Sequence, residues 1–254
     1  MKISIITAGY NCANTILDTI ESIKEQSYDN IEHIIVDGNS NDNTINIIKQ
    51  NAQRIYKIIS EPDNGIYDAF NKGIYASTGD IVGFLNSDDI FAHRNVVKKI
   101  ANTFKNTNID AVYGDVIVFR PNQHNKIFRY SDSSKFTSKL LARGCMPAHP
   151  TMYCKKEVYQ RIGNYKTTYK IASDFEFVIR LFNDLSLKTI YINEVLVKMR
   201  KGGVSSKNIF SNFTINKEIY RACKENRVAT NYIKIYSKYF LKIFELINIR
   251  SLNN

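Results

Sequence analysis

The sequence predicts an α/β fold built on a mostly parallel sheet flanked by helices, with a helical extension at the C-terminus. Three observations carry this. Short apolar runs of strand length alternate with helical segments across the first 110 residues, joined by short polar loops. Four successive runs end in Thr, Asp or Asn. Beyond residue 205 the pattern turns helical and basic.

The elements follow in order. Lys2 to Thr7 is a strand, Ala8-Gly9-Tyr10-Asn11 a turn, and a helix runs from about Cys12 to Gln26 with Ile16, Ile20 and Ile23 on one face. Glu32 to Val36 is a second strand ending in Asp37-Gly38-Asn39-Ser40-Asn41-Asp42, and a helix follows over Thr44 to Gln50. Ile55 to Ser60 is a third strand, ending at Glu61-Pro62-Asp63-Asn64-Gly65 before a helix from Ile66 to Tyr75. Ile81 to Leu85 then forms a strand buried on both faces, and it stops at Asn86-Ser87-Asp88-Asp89.

That last stop admits two readings. In an open parallel sheet, ligands gather at the carboxyl ends of the strands, where Asp88 and Asp89 would offer hard oxygens to Mg²⁺ or Mn²⁺. Alternatively the pair caps a helix running from Phe91 to Phe104. A lone strand-ending Asp is commonly a helix cap, but Asp37, Asp63 and Asp88 close three of four consecutive strands, and that favours a lined crevice.

Composition narrows the class. At 254 residues, 44% hydrophobic and 23% charged, the chain suits one large α/β domain or one domain plus an extension. The apolar run after Met1-Lys2 is too short for a signal peptide, and no run approaches the roughly 20 residues that span a bilayer. Cys12, Cys145, Cys154 and Cys223 lack CxxC spacing and read as reduced thiols of a cytoplasmic protein. The net charge of +11 is uneven: −4 over residues 1–110, +7 over 111–199 and +8 over 200–254. The C-terminal half therefore expects an anionic partner, a diphosphate or a membrane surface. No nucleic-acid motif is present, nor GxGxxG after the first strand, nor GxxxxGK[ST].

After residue 105 the pattern changes. Ala111 to Phe119 and Ile127 to Tyr130 read as strands around the turn Pro121-Asn122-Gln123-His124-Asn125. His149 lies between Pro147 and Pro150 in a rigid loop, as a metal or phosphate contact or as a plain hydrogen-bonding residue. Ser173 and Glu176 have capping-box spacing, so a helix should begin there with Asp174 in its first turn. The positive helix end would keep Asp174 ionised, as a general base needs, or Asp174 simply completes that turn. Helices should follow from about Lys207 to Asn226 and from Val228 to Asn248. The second would carry Ile233, Tyr236, Phe240, Ile243, Phe244 and Ile247 on one face, with Lys234, Lys238 and Lys242 away from it. Such a basic amphipathic helix either packs on its own domain or lies on an anionic leaflet.

Four segments together carry a resemblance: Ile3 to Ala8, Val36 to Asp42, Glu61 to Gly73 (Glu-Pro-Asp-Asn-Gly-Ile-Tyr-Asp-Ala-Phe-Asn-Lys-Gly) and Gly83 to Asp89. In this order they resemble the family 2 glycosyltransferases, over about residues 1–205, and most closely the bacterial enzymes of O-antigen and capsule synthesis. The resemblance implies a GT-A fold and inverting chemistry, with a nucleotide-sugar half over 1–110, an acceptor half over 111–205 and C-terminal helices over 206–254. Thr7, Ala8, Tyr10 and Asn11 would line the nucleotide site, and Asp37 would accept from the uracil ring. Asp63, Asn64 and Gly65 would meet the ribose and diphosphate at a helix N-terminus. Lys72 would reach the phosphates or stand in solvent. Asn86-Ser87-Asp88 occupies the D-x-D position, with Asp88 the metal carboxylate and Asn86 a weaker neutral ligand. His149 would lie near the donor phosphates or the acceptor.

The same resemblance makes Asp174 the base that deprotonates an acceptor hydroxyl as it attacks opposite the departing nucleoside diphosphate. Arg200, Lys201 and Gly202 to Ser206 resemble a segment that closes over the phosphates, or form an ordinary Gly turn. The expected donor is a UDP-hexose of glucose or galactose, with Mn²⁺ or Mg²⁺. The expected acceptor is an undecaprenyl-diphosphate-linked saccharide at the inner face of the bacterial inner membrane. Two rivals stand beside this reading. A nucleotidyltransferase would need a basic loop after the first strand, and Ala8 to Asn11 has no Lys or Arg. A non-catalytic sugar-nucleotide-binding module has only Asn86 in its favour.

Overall fold

A computed structural model describes residues 1–51, 55–106, 108–120, 123–202 and 209–239. The first half folds as the alternation requires: β1 (Ile3–Gly9), α1 (Ile16–Lys24), β2 (Ile31–Asp37), α2 (Thr44–Gln50), β3 (Ile55–Ser60), α3 (Ile66–Ala76) and β4 (Ile81–Phe84). All four strands are parallel, in the order β3-β2-β1-β4. Ile16, Ile20 and Ile23 of α1 are buried, as the helical spacing predicts. Alternation along the strands decides which helices meet which face. Ile35 of β2 packs with Ile16, Ile20 and Ile48 of α1 and α2. Ile34 and Val36 turn to the other face, into a cluster with Ile6 and with Phe70 of α3. There α3 lies so close that a β-carbon on Gly73 would fall 2.4 Å from the Ile6 side chain.

The second half is mixed rather than parallel. It contains β5 (Ile90–Phe91), α4 (Val96–Asn106), β6 (Ala111–Arg120), β7 (Gln123–Ser131), β8 (Tyr153–Lys155), α5 (Lys156–Ile162), α6 (Ser173–Asn183), β9 (Thr189–Arg200) and α7 (Ile209–Glu225), with a further helix, α8, over 232–239. The described strands form one sheet that continues β4-β8-β6-β9-β5, with β7 on β6. β8 runs antiparallel to both β4 and β6, and β6 and β9 are parallel. At the junction Gly83 admits the Tyr153 ring, which would lie 2.1 Å from a β-carbon there.

Two helix expectations change. The helix predicted from Phe91 begins only at Val96, because Ile90 and Phe91 pair with Lys198 and Val197 of β9. Asp88 and Asp89 therefore cap no helix. The apolar face predicted for the last helix is turned: Ile235 is enclosed and Lys238 buried, whereas Ile233 is 83% exposed. Ile235 joins the core that also holds Ile219, Ala222 and Cys223 of α7 with Phe175 and Val178 of α6. The extension thus packs on the domain. Residues 240–248 of the predicted helix, residues 121–122 of the predicted turn and the 205/206 boundary lie outside the described residues.

Candidate active site

Loops at the carboxyl ends of β1, β2 and β3 are stitched to one another. The Gly38 N–H donates to the Gly9 carbonyl (2.9 Å), the Asn11 N–H to Ser40 Oγ (2.8 Å) and the Asn41 N–H to Asn11 Oδ1 (3.0 Å). Asn11 takes the left-handed conformation (φ 50°), which Asn tolerates well. A β-carbon on Gly38 would lie 2.7 Å from Asp63 Oδ2 and 3.5 Å from the Tyr10 ring. Gly38 thus leaves a cradle between that carboxylate and Tyr10, whose ring is 61% exposed. A β-carbon on Gly9 would lie 3.1 Å from Ser87 Cβ, so the loop after β4 closes on the same edge.

Several residues that the sequence placed in the crevice hold it from behind. Thr7 is buried with its hydroxyl 2.9 Å from His33 Nε2, and the Ala8 side chain belongs to the core. Asp37 has no exposed surface to meet a base. Its carboxylate accepts from the Ser40 N–H (3.0 Å), the Ser40 hydroxyl and the Ser60 hydroxyl (2.8 Å), which ties the ends of β2 and β3 together. Lys72 points back to the loop before α3, donating to the Pro62 carbonyl (2.9 Å) and pairing with Glu61 (2.9 Å) and Asp68 (3.7 Å). The α3 N-terminus is also less open to anions than expected. Asp68 takes the Asn64 N–H (3.0 Å) and Asp63 Oδ1 the Gly65 N–H (2.8 Å). With carboxylates already there, this corner offers acceptors for hydroxyl groups rather than a seat for an anion.

The turn after β4 has the chemistry of a hard-cation site. Asn86 Nδ2 donates to Asp89 Oδ2 (3.2 Å), while Asn86 Oδ1 is buried without a hydrogen-bond partner. Asp89 is 1% exposed, and burial together with the neighbouring Asp88 charge raises its proton affinity. Thr19 fixes the turn from α1, its hydroxyl donating to the Asp89 carbonyl (2.8 Å). Arg200, at the end of β9, reaches both Asp89 and Asp18. An orphaned amide oxygen beside two carboxylates fits Mn²⁺ or Mg²⁺, which take oxygen ligands. Among the described residues no three His, Cys, Asp or Glu side chains form a closed cage.

Asp174 joins this edge through α3. Its Oδ1 accepts from the Phe175 N–H (2.8 Å) and the Tyr67 hydroxyl (3.2 Å), and the same hydroxyl bonds the Ile171 carbonyl. Tyr67 sits in the first turn of α3, next to the loop at the carboxyl end of β3. Burial raises the Asp174 carboxyl to about 6, against the pull of the Phe175 N–H and Tyr67. Asp174 is still mostly ionised at neutral pH, yet much more basic than the helix end alone would leave it. The capping box does not form. Ala172 is the N-cap, the Ser173 hydroxyl has no partner, and Glu176 pairs with Arg180 (2.8 Å) and Lys166 (2.8 Å). Glu218 of α7 covers this helix end instead.

His149 lies in an aromatic layer under the site. It is 7% exposed, stacks on Phe84 and Phe70 at 5.4 and 5.6 Å between centroids, and holds Nε2 2.7 Å from the Tyr165 hydroxyl. Burial lowers its pKa to about 4, so it is neutral. These contacts are those of a packing residue, and metal ligation through Nε2 would break the Tyr165 bond. Lys201 Nζ rests over the Phe128 ring, 4.0 Å from its centroid, and residues 203–206 of the predicted closing loop lie outside the described residues. Sequence reasoning missed Tyr67 and Glu218. Tyr67 stands inside the segment that carried the resemblance; Glu218 had no local signal.

A parallel first half, joined through β4 to a mixed second half, is the GT-A architecture, and the protein is a glycosyltransferase. The chain belongs to glycosyl transferase family 2, whose model matches residues 4–170. The PGL/p-HBAD biosynthesis glycosyltransferase of Mycobacterium bovis is 30% identical over 208 residues, covering 80% of this chain and 78% of that protein. The putative glycosyltransferase EpsE of Bacillus subtilis is 26% identical over 247 residues, covering 92% and 86%. Among solved structures, S. aureus TarS 1–349 in complex with UDP-GlcNAc superposes with a TM-score of 0.67 at 17% identity, over 87% of this chain and 66% of that one. Mannosyltransferase PcManGT from Pyrobaculum calidifontis, in complex with GDP-Man and Mn²⁺, gives 0.66 at 17% identity, over 98% and 73%. These structural likenesses show the shared fold.

Proposed function

We propose that the protein transfers a hexose, glucose or galactose, from a UDP-sugar to a lipid-diphosphate-linked saccharide, inverting the anomeric centre, in bacterial surface-polysaccharide synthesis. The observation that carries the reading is the Tyr67 to Asp174 hydrogen bond. It couples the residue we assign as base to the mouth of the nucleotide half, 107 residues earlier in the chain. The base of the nucleotide would lie in the cradle of Tyr10, Gly38 and Asp63, with Asn64 and Gly65 toward the ribose. Asp88 and Asn86 Oδ1, with Ser87 between them, would hold a divalent cation whose charge offsets that of the diphosphate.

Asp174 then has one task, to take a proton from the acceptor hydroxyl. Oδ1 already accepts two hydrogen bonds, so Oδ2 is the oxygen assigned to that proton. A base near 6 matches chemistry at neutral pH, being largely ionised while still able to hold a proton. Support for a nucleotide diphosphate donor comes from the solved complexes with UDP-GlcNAc and with GDP-Man and Mn²⁺. Support for a membrane-borne acceptor comes from the +8 balance of residues 200–254 and from Phe213 and Ile233, 68% and 83% exposed on α7 and α8. No helix among the described residues is long and apolar enough to cross a membrane, so the contact proposed is peripheral.

The test is a panel of UDP-, GDP- and dTDP-sugars with Mn²⁺ and a synthetic GlcNAc- or GalNAc-diphosphate lipid, following nucleotide release and product mass. Turnover of UDP-glucose or UDP-galactose is expected, with none by Asp174→Asn. Turnover confined to another nucleotide would overturn the donor, and an active Asp174→Asn would overturn the base.

A further inference from the structure

We propose that Glu218, on α7 in the C-terminal extension, is a positioning residue for Asp174, which makes the extension part of the apparatus for transfer. The proposal rests on the reading of Asp174 as the base. Glu218 Oε1 accepts from the Lys170 N–H (2.8 Å), and Oε2 accepts from the N–H groups of Ile171 and Ala172 (both 2.9 Å). One carboxylate thereby binds three consecutive backbone donors immediately ahead of α6. Lys170 and Ile171 lead into the N-cap Ala172, so the carboxylate fixes the chain where it enters the helix and lies near the positive helix end. The local sequence supplies no substitute, since neither Ala172 nor the unbonded Ser173 hydroxyl caps the helix.

The fixed backbone leads directly to the base. Ile171, held through its N–H by Glu218, accepts through its carbonyl the Tyr67 hydroxyl that also contacts Asp174 Oδ1. A shift of residues 170–172 would therefore move both the start of α6 and the Tyr67 contact. The far end of α7 grips the same segment: Glu225 accepts from Lys166 Nζ (3.0 Å) and the Tyr169 hydroxyl (2.9 Å), and Asn226 Nδ2 donates to Glu176 Oε1 (3.1 Å).

Glu218 also acts through its charge. The groups around Asp174 are Tyr67 from α3, Tyr165 from the loop before α6, Glu218 from α7 and the Phe175 N–H of its own helix; Glu176, further along, is neutralised by Arg180 and Lys166. The negative charge of Glu218 disfavours a second carboxylate nearby and keeps Asp174 basic. A purely structural cap would lower stability without moving the pH at which transfer begins.

The experiment compares wild type, Glu218→Gln, Glu218→Ala and Asp174→Asn in the full chain. It measures turnover of the donor selected by the panel against pH, and binding of UDP with Mn²⁺ by calorimetry. Glu218→Gln should bind UDP as wild type does, lose about tenfold in kcat with the donor KM unchanged, and move the acid limb to lower pH by a few tenths of a unit. Glu218→Ala should lose more kcat; if it does not fold, Glu218→Gln decides alone. Wild-type kcat and an unmoved acid limb in a Glu218→Gln protein that binds UDP would overturn the proposal. So would a loss of UDP binding in step with kcat. An active Asp174→Asn would show instead that the underlying assignment of the base is wrong.

Discussion

Replacing Asp174 by Asn should stabilise the protein while abolishing transfer. Burial raises this carboxyl from 3.8 to about 6, so the folded state resists its ionisation. Each unit is worth about 1.4 kcal/mol, which gives an upper bound of about 3 kcal/mol at neutral pH. Part of the side chain is open to solvent, and screening lowers the expected gain to about 1–2 kcal/mol. Asn can still accept from the Phe175 N–H and the Tyr67 hydroxyl, so little is lost in exchange. For a chain of this length the gain corresponds to about 2–6 °C in Tm. The sign follows from linkage: a raised carboxyl lends stability below about pH 4 that is lost as pH rises toward 6. The two proteins should therefore melt together at pH 3.5, diverge between 4 and 6, and differ by a constant amount above. Thermal melts across that range, beside a transfer assay at pH 7.5, make the measurement. A destabilised Asn protein at pH 7.5, or a difference independent of pH, would refute the reasoning.

Three further substitutions probe the neighbouring contacts. Tyr67→Phe removes a hydroxyl that helps hold Asp174 ionised, so the acid limb of the kcat profile should rise by roughly half a unit, and a fall would count against the geometry. His149→Phe should keep Mn²⁺-dependent UDP binding in calorimetry while losing about 1 kcal/mol of stability with the Tyr165 bond; loss of the metal dependence would make His149 a ligand after all. Gly83→Ala drives a methyl group into the enclosed Tyr153 ring and should cost about 3 kcal/mol or more in urea unfolding, and an unchanged midpoint would mean that β4 and β8 lie farther apart than described.

The first half of the fold was legible because its signals are local. Apolar runs, helical spacing and polar strand ends depend on neighbours a few residues away, and β1 to α3 appear close to where those signals put them. The second half was less so. β8 is three residues long and enters antiparallel between β4 and β6, a placement decided by Gly83 admitting the Tyr153 ring and not by any local pattern. Phe91 read as the start of a helix and instead joined Ile90 in a short strand because the distant edge of β9 offered hydrogen bonds.

The sequence by itself determined the order of elements, the strand that delivers Asn86, Ser87 and Asp88, and Asp174 at the head of a helix. Only the tertiary structure decided which way those side chains are used. Asp37 and Lys72 were used to tie loops together, Thr7 to join β1 to β2, and the support for the start of α6 came from Glu218, 46 residues beyond Ala172. A residue type and its spacing fix what a group can donate or accept. Which partner satisfies it depends on what chain folding brings within about 3 Å, and that is a property of the whole molecule.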